Sequence, residues 1–208
     1  MIGFMMKSVI LGMLVMVVLI TGCSSTPIES DPIPIGTVEP TPTLDPTQFA
    51  AERYPAAGVL YQWGLSAEAS TEFANPEWGA EQVAGEPDAP GCGDYQFAWA
   101  SAASDSIATL EVTFSASVYP LEIVIHESYN PDQVVKVEVF DQETGGYYAV
   151  VQKNPARVDR PCPYQLVIPV YGIDFRTNLV RITVDQSQLG LGWNEIDAVQ
   201  LIGTFNNP

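Results

Sequence analysis

Residues 110–114 read LEVTF, and this short run decides the fold class. Leu110, Val112 and Phe114 alternate with polar residues, which is the period-two pattern of a β-strand with one buried face. Other β-rich runs occupy residues 121–125, 135–140, 147–151, 164–170, 179–184 and 198–202. The pattern therefore predicts a domain built from many short strands.

Turn-forming residues separate these runs, at residues 129–132 (YNPD), 144–146 (TGG), 154–155 (NP) and 190–192 (GLG). No segment between them has a long, capped helical period. Strands at this spacing, without intervening helices, predict an all-β sandwich. The sequence favours one such domain over residues 49–208, an ordinary domain length.

The start of the chain has the order of an export signal. One positive charge precedes the run 9–20, which is apolar apart from Gly12, and small residues then lead into Cys23. This run is shorter than the roughly 20 residues of a membrane-spanning helix. The stretch LITGC matches the lipobox of bacterial lipoproteins, so residues 1–22 are predicted to be a lipoprotein signal peptide. A plain signal peptide with a chance cysteine is the alternative.

A lipobox implies that Cys23 becomes the lipidated N-terminus of an extracytoplasmic protein. More than one acyl chain is needed for stable anchoring, and lipoprotein processing supplies a diacylglycerol and often an N-acyl chain. Ser24, rather than aspartate, follows the cysteine, so we expect the outer membrane in a two-membraned host and the cell membrane otherwise. Residues 23–48 then form the lipidated cysteine and a disordered Pro/Thr-rich tether.

The chain is strongly acidic, with 25 Asp and Glu against 8 Lys and Arg. The net charge of −17 disfavours nucleic acid as a partner, because the protein would repel the phosphate backbone. Besides Cys23 the chain has Cys92 and Cys162, and its only histidine is His126. In an exported protein these two cysteines predict a disulfide rather than a metal site.

Several segments, in this order, resemble the discoidin-like (coagulation-factor C-type) jelly rolls of the galactose-binding superfamily. An early loop, residues 84–88 (AGEPD), leads to a tryptophan in residues 97–101 (FAWAS), and a strand follows at residues 110–114. A strand–loop–strand unit then runs from residues 126–131 (HESYNP) into residues 135–141. The arginine-bearing strand is residues 180–184 (VRITV), and the closing strand is residues 193–201 (WNEIDAVQL). The early loop departs from the family pattern, since Pro87-Asp88 replaces its usual Asp-Gly pair.

The resemblance implies two kinds of site. Many relatives hold a structural calcium ion between the early loop and the last strand, where this chain has Asp88 and Glu195. The alternative is that Asp88 caps a turn and Glu195 faces solvent. The family's sugar-binding loops lie at one end of the sandwich, where aromatic rings stack on sugars. The candidates at matching positions are Trp78, Tyr95, His126, Glu127, Tyr129, Asn130, Trp193 and Asn194.

Motifs of the common enzyme classes do not occur in the sequence, which has no Gly-x-Ser-x-Gly elbow, no His-Glu-x-x-His helix and no glycine-rich phosphate loop. We therefore expect a non-catalytic binding module on a surface-anchored lipoprotein, with carbohydrate as the ligand. The alternative is a structural or protein-interaction module of the cell envelope. Its partners would be the membrane, through the lipid anchor, and either a glycan or an envelope protein.

Overall fold

The computed structural model describes residues 58–207, and within them the chain is almost entirely β. The predicted signal peptide (residues 1–22) and the predicted lipidated cysteine and tether (residues 23–48) lie outside the described residues. The helical element within the described part is a short 3₁₀ turn, Ala80–Val83. Within residues 58–207, no helix has the length and hydrophobicity of a membrane span. The prediction of an all-β fold is confirmed.

The strands form two antiparallel sheets that share one long strand. The elements are β1 (Val59–Trp63), β2 (Ser66–Ala69), β3 (Ile107–Tyr129), β4 (Val134–Asp141), β5 (Gly146–Gln152), β6 (Tyr164–Pro169), β7 (Thr177–Asp185) and β8 (Glu195–Thr204). One sheet has the order β2-β3-β7-β4-β5, and the other has the order β1-β8-β3-β6. Neighbouring strands are mostly distant in sequence, as in a jelly-roll sandwich.

The shared strand β3 is 23 residues long and belongs to both sheets. Its first part pairs with β7 up to Thr113, and a register shift separates Thr113 from Val118. Its later part pairs with β8 and β6. Irregular pairing of this kind bends a strand and increases its twist, which lets one strand pass from sheet to sheet. The predicted strands 110–114 and 121–125 are therefore two parts of one strand.

The core lies between the two sheets and follows the alternation seen in the sequence. Leu110, Val112 and Phe114 are at most 1% exposed and join one cluster with residues of the second sheet, including Ile123 and Leu201. A methylene group removed from water contributes about 0.8 kcal/mol, so this shared apolar layer supplies the main drive for the sheets to associate. The loops at the edges of the sandwich carry the polar and aromatic residues considered below.

A disulfide joins the loop around Cys92 to the segment before β6. Cys92 and Cys162 are bonded, with their Cα atoms 5.0 Å apart, inside the range of about 4.4–6.8 Å usual for such bridges. The sequence prediction of this pair is confirmed. The bridge closes a loop across 70 residues and holds the irregular segment 153–163 against the loop that contains Cys92.

Candidate ligand-binding site

Three aromatic rings meet at the loop that follows β2. The ring of Phe73 lies between two indoles, with its centroid 5.4 Å from that of Trp78 and 5.4 Å from that of Trp193. Both contacts are edge-to-face, a favoured geometry for aromatic pairs. Phe73 is 50% exposed, and the two tryptophans are half-buried. We call these three residues the aromatic cradle.

Hydrogen bonds fix the walls of the aromatic cradle. The Nε1 of Trp78 donates to Oδ1 of Asp94 at 2.7 Å, and the Nε1 of Trp193 donates to the carbonyl of Ser101 at 2.9 Å. The backbone amide of Phe73 donates to the carbonyl of Ala100 at 2.9 Å. Both indole rings and the backbone at Phe73 are therefore held in place before any ligand arrives, which lowers the ordering cost of binding.

Two carboxylates complete a small cavity beside these rings. Asp94 and Glu195, with Ala100 and the aromatic cradle, line about 40 Å³ of free space. Glu195 is only 2% exposed, and its Oε2 accepts a hydrogen bond from the amide of Tyr95 at 3.0 Å. The pKa of Glu195 is raised to about 8, mainly by burial and also by the neighbouring Asp94, against the opposing effect of the Tyr95 amide.

A second pair of acids joins the early loop to β8. The carboxylate of Asp197 accepts hydrogen bonds of 3.3 Å from the amides of Asp88 and Ala89. Burial raises the pKa of Asp197 to about 6, and the Asp88 side chain acts in the same direction. The early loop and the last strand therefore adjoin as the resemblance implied.

The predicted calcium ligands Asp88 and Glu195 have different partners in this arrangement. Asp88 is exposed and lies against Asp197, whereas Glu195 lies against Asp94. Residues 58–207 contain no group of three or more His, Cys, Asp or Glu side chains placed to hold a metal ion. Calcium takes six to eight oxygens, so backbone carbonyls would have to supply most of them. Calcium at this position stays a prediction.

Four of the predicted ligand residues belong instead to a polar network around the end of β3. Asn194 is fully buried, and its Nδ2 donates to Oε1 of Glu127 at 2.7 Å and to the carbonyl of Asn130 at 3.1 Å. The Nδ2 of Asn130 donates to the carbonyl of Trp193 at 3.0 Å. Tyr129, the last residue of β3, is half-buried and pairs with Glu195. This network positions the loop that carries Trp193.

Burial shifts the pKa values of two side chains in this region. Glu127 is 1% exposed, and burial raises its pKa to about 7, with Asn194, Arg160 and Lys153 opposing the shift. His126 is 7% exposed and packs edge-to-face on Trp63, with ring centroids 5.3 Å apart. Burial lowers the pKa of His126 to about 4. Neither side chain lines the cavity beside the aromatic cradle.

A more open cleft lies next to the disulfide. Its lining residues are Cys92, Asn130, Pro131, Asp132, Arg157, Asp159, Arg160, Cys162 and Leu191. Asp132 forms an ion pair with Arg160, and its Oδ2 accepts a hydrogen bond from the amide of Val158. These contacts bind the segment 153–163 to the start of β4. Asn130 is the predicted ligand residue that lines this cleft.

The structure thus places Trp78 and Trp193 together and adds residues that sequence reasoning missed. Phe73 completes the aromatic cradle, Asp94 lines its cavity, and Asp197 pairs with the early loop. Tyr95 stacks on Phe97 with ring centroids 5.2 Å apart, and its backbone rather than its ring contacts Glu195. The position of Phe73 beside Trp78, in a loop without strand periodicity, was the available sequence signal.

Comparison with known proteins supports the fold. A family model described as the C-terminal SD scarf domain of pappalysin-1 matches residues 53–208. A chitosan-binding module of a chitosanase/glucanase from Paenibacillus sp. IK-5 has a TM-score of 0.51 and 11% identity, covering 68% of this chain and 99% of that module. The Clostridium perfringens module CpGH89CBM32-4, solved with GlcNAc-α-1,4-galactose, has a TM-score of 0.51 and 13% identity, covering 71% and 96%.

A third similar structure is a fucolectin from striped bass (Morone saxatilis) serum. It has a TM-score of 0.50 and 11% identity, and the match covers 68% of this chain and 49% of the lectin chain. At such identities the likeness concerns the fold. The predicted galactose-binding-like jelly roll is therefore confirmed.

Proposed function

The chain belongs to the family of the C-terminal SD scarf domain of pappalysin-1, and we propose that it is a non-catalytic binding module whose ligand is a carbohydrate. The single observation that carries this proposal is the aromatic cradle. Phe73, Trp78 and Trp193 meet at the loop end of a jelly roll, beside two carboxylates that accept hydrogen bonds. Pockets with rigid aromatic walls and a few polar groups are typical of small-ligand sites.

The chemistry of the aromatic cradle suits a sugar. A sugar ring has one apolar face that stacks on an aromatic ring, and hydroxyl groups that donate to carboxylates. Phe73 is 50% exposed and therefore accessible to a ligand. The similar modules from Paenibacillus and Clostridium perfringens are named for, or solved with, saccharides. By analogy with them we extend the ligand class of carbohydrates to this chain.

The burial of the titratable groups supports a binding role rather than a catalytic one. His126, the only histidine, is 7% exposed and packs on Trp63, so it is poorly placed to exchange protons with a ligand. Glu127 is held within the network of Asn194. The cavity acids Asp94 and Glu195 lie together against the aromatic cradle rather than facing each other across a wide cleft.

We further propose that the module is displayed on the cell envelope. The proposal rests on the sequence of residues 1–23, in which an apolar run and small residues lead to Cys23. Lipidation of Cys23 would anchor the protein to the outer face of the cell membrane or to the outer membrane. The Pro/Thr-rich segment 24–48 would then space the domain from the bilayer.

A glycan array of the full-length protein tests the binding function. With its predicted lipid anchor, the full-length protein is kept in detergent. The detergent should have neither a sugar nor a choline headgroup, because either would compete for the site. We expect hits that Phe73→Ala removes and that Phe205→Ala retains. The two phenylalanines are a matched pair, being 50% and 53% exposed. An array without hits would contradict the carbohydrate proposal and favour an envelope protein as the partner.

A further inference from the structure

The lining of the cavity beside the aromatic cradle narrows the kind of chemical group that it can hold. Its six lining residues are three aromatic residues, one alanine and the acids Asp94 and Glu195, without a basic side chain. A cavity needs about 10–15 Å³ to hold one water molecule. The 40 Å³ of this cavity therefore have room for one small chemical group. The cavity therefore has room for a single substituent of a sugar rather than for a whole sugar ring.

Aromatic faces and carboxylates both attract positive charge. A cation over an aromatic face is stabilised by the ring quadrupole, and the contact strengthens when water is excluded. Carboxylates add direct Coulomb attraction. In this cavity two indoles and a phenyl ring lie beside two acids. All its acidic and aromatic lining groups therefore favour a positively charged ligand.

The two acids also lack a countercharge inside the cavity. Glu195 is 2% exposed and Asp94 lies against it, and this pair accepts hydrogen bonds from the amide of Tyr95 and the indole of Trp78. A cationic group between the rings and the acids would supply the countercharge that the cavity lacks. The overall charge of −17 would also concentrate cations near the surface.

We propose that this cavity binds a cationic nitrogen group of the ligand, enclosed by Phe73, Trp78 and Trp193 and paired with Asp94 and Glu195. This inference rests on the proposed carbohydrate-binding function and narrows its ligand class. The group is either the protonated amine of an amino sugar or a methylated ammonium substituent. Both present a positive charge on a nitrogen small enough for the cavity.

Calorimetry on the full-length protein, in the same detergent, separates these sources. The probes are a glucosamine oligosaccharide, the N-acetylglucosamine oligosaccharide of equal length, and choline. We expect at least tenfold tighter binding of the amine oligosaccharide than of its neutral acetylated form, with a preference that weakens as salt is raised. Tight binding of choline alone would assign the site to methylated ammonium groups.

Asp94→Asn tests the role of charge, because the amide keeps an oxygen that can accept the Trp78 hydrogen bond. We expect this variant to lose most of the preference for the cationic probe, while Asp174→Asn, at an exposed site before β7, keeps it. Circular dichroism checks that each variant folds. If Asp94→Asn is unfolded, Phe73→Ala serves instead and should abolish binding of the cationic probes.

The outcomes distinguish this inference from the proposed function. Equal affinity for the amine and the acetylated oligosaccharide, with no binding of choline, overturns the cationic site but leaves carbohydrate binding standing. Choline binding that depends on Phe73, without binding of any saccharide, supports the cationic site and contradicts the carbohydrate function. Absence of binding by all probes and an array without hits overturn both.

Discussion

The indole Nε1 of Trp78 donates a 2.7 Å hydrogen bond to Oδ1 of Asp94, 16 residues further along the chain. This contact joins the loop after β2 to the loop that carries Cys92. It turns a half-buried tryptophan with a backbone φ of 54° into a fixed wall of the aromatic cradle. Ligand binding at the cradle therefore depends on the orientation of this indole as well as on its area.

Trp78→Phe should weaken binding by about tenfold, or about 1.4 kcal/mol, while the melting temperature changes little. The variant keeps an aromatic ring but removes the donor to Asp94, so the ring loses its fixed orientation. Calorimetry with a ligand from the array measures the effect. Trp63→Phe is the control, since Trp63 is half-buried and packs on His126 outside the cradle. Equal losses in both variants would contradict the role of the hydrogen bond.

The double variant Cys92→Ser/Cys162→Ser should lose roughly 2–4 kcal/mol of unfolding free energy. The bond restricts a loop spanning 70 residues in the unfolded chain. Urea unfolding measures the loss, and wild-type protein unfolded with a reductant should show the same loss. We expect ligand affinity to be retained well below the melting temperature. An unchanged urea midpoint would mean that the disulfide contributes no stability.

Burial of Glu127 should by itself make stability fall as the pH rises from about 4.5 to about 7, whereas burial of His126, whose pKa is lowered to about 4, acts in the opposite direction up to about pH 6.5. Burial raises the pKa of this carboxyl from 4.5 to about 7, against the opposing charges of Arg160 and Lys153 and with a supporting contribution from Asp132. The folded state then holds the proton more tightly than the unfolded chain. This stabilisation is complete below about pH 4.5 and is lost as the pH passes through about 7.

Glu127→Gln should flatten part of this decline and be more stable than wild type at pH 8 by on the order of 2 kcal/mol. Glutamine keeps an oxygen that can accept the Asn194 hydrogen bond. Some decline remains, because the pKa values of Glu195 and Asp197 are raised as well. Urea unfolding between pH 4 and 8 measures the curves. Parallel curves for Glu127→Gln, wild type and the exposed control Glu86→Gln would contradict this origin of the pH dependence.

The strands were predictable because they alternate in hydrophobicity, and the residues that complete the site were not. The runs near residues 110–114 and 135–140 have buried faces that the period of two reveals, and both are strands. Apart from Glu68, Ser66–Ala69 has small side chains, and it pairs with β3 through its backbone, so its sequence shows no comparable pattern. The continuity of β3 between residues 115 and 120 depends on partners far away in sequence.

The candidate site could likewise be predicted only in part from the sequence. Trp78 and Trp193 were recognisable as loop aromatics, but their meeting point at Phe73 depends on how two distant loops fold together. Sequence reasoning took Glu127 and Asn194 for ligand residues because they are polar and adjoin loops. The structure buries both, at 1% and 0% exposure, where the Nδ2 of Asn194 donates a hydrogen bond to Glu127. Polarity alone does not separate an exposed site from an internal network.

Cys23→Ser should abolish membrane attachment, since the thiol is the group to which the diacylglycerol is transferred. Detergent-phase partitioning of the expressed protein measures attachment. Ser24→Ala is the control, because it leaves the predicted lipidation residue intact and should partition like wild type. If Cys23→Ser still partitions into detergent, the uncleaved N-terminal segment is itself the anchor and the lipoprotein prediction is wrong.

Calcium should raise the melting temperature if the early loop and β8 hold the predicted ion. Asp88 and Asp197 adjoin there. A second acidic pair, Asp94 and Glu195, comes from the same two segments of the chain. A ligand that binds only the folded state stabilises it by RT ln(1 + [L]/Kd), which is about 2.7 kcal/mol at 100 times Kd. For a domain of this size that corresponds to a rise of several degrees.

The position of the ion can be tested with single substitutions. Asp88→Asn and Glu195→Gln remove a charge at the two predicted ligands, and each should reduce the calcium-dependent rise without unfolding the protein. Asp88 is exposed, so Asp88→Asn disturbs the fold least. Asp174→Asn is the matched control at an exposed acid outside this region. Melting that does not respond to calcium would contradict the site, and Asp88 would then act only through its contact with Asp197, which holds the early loop against the last strand.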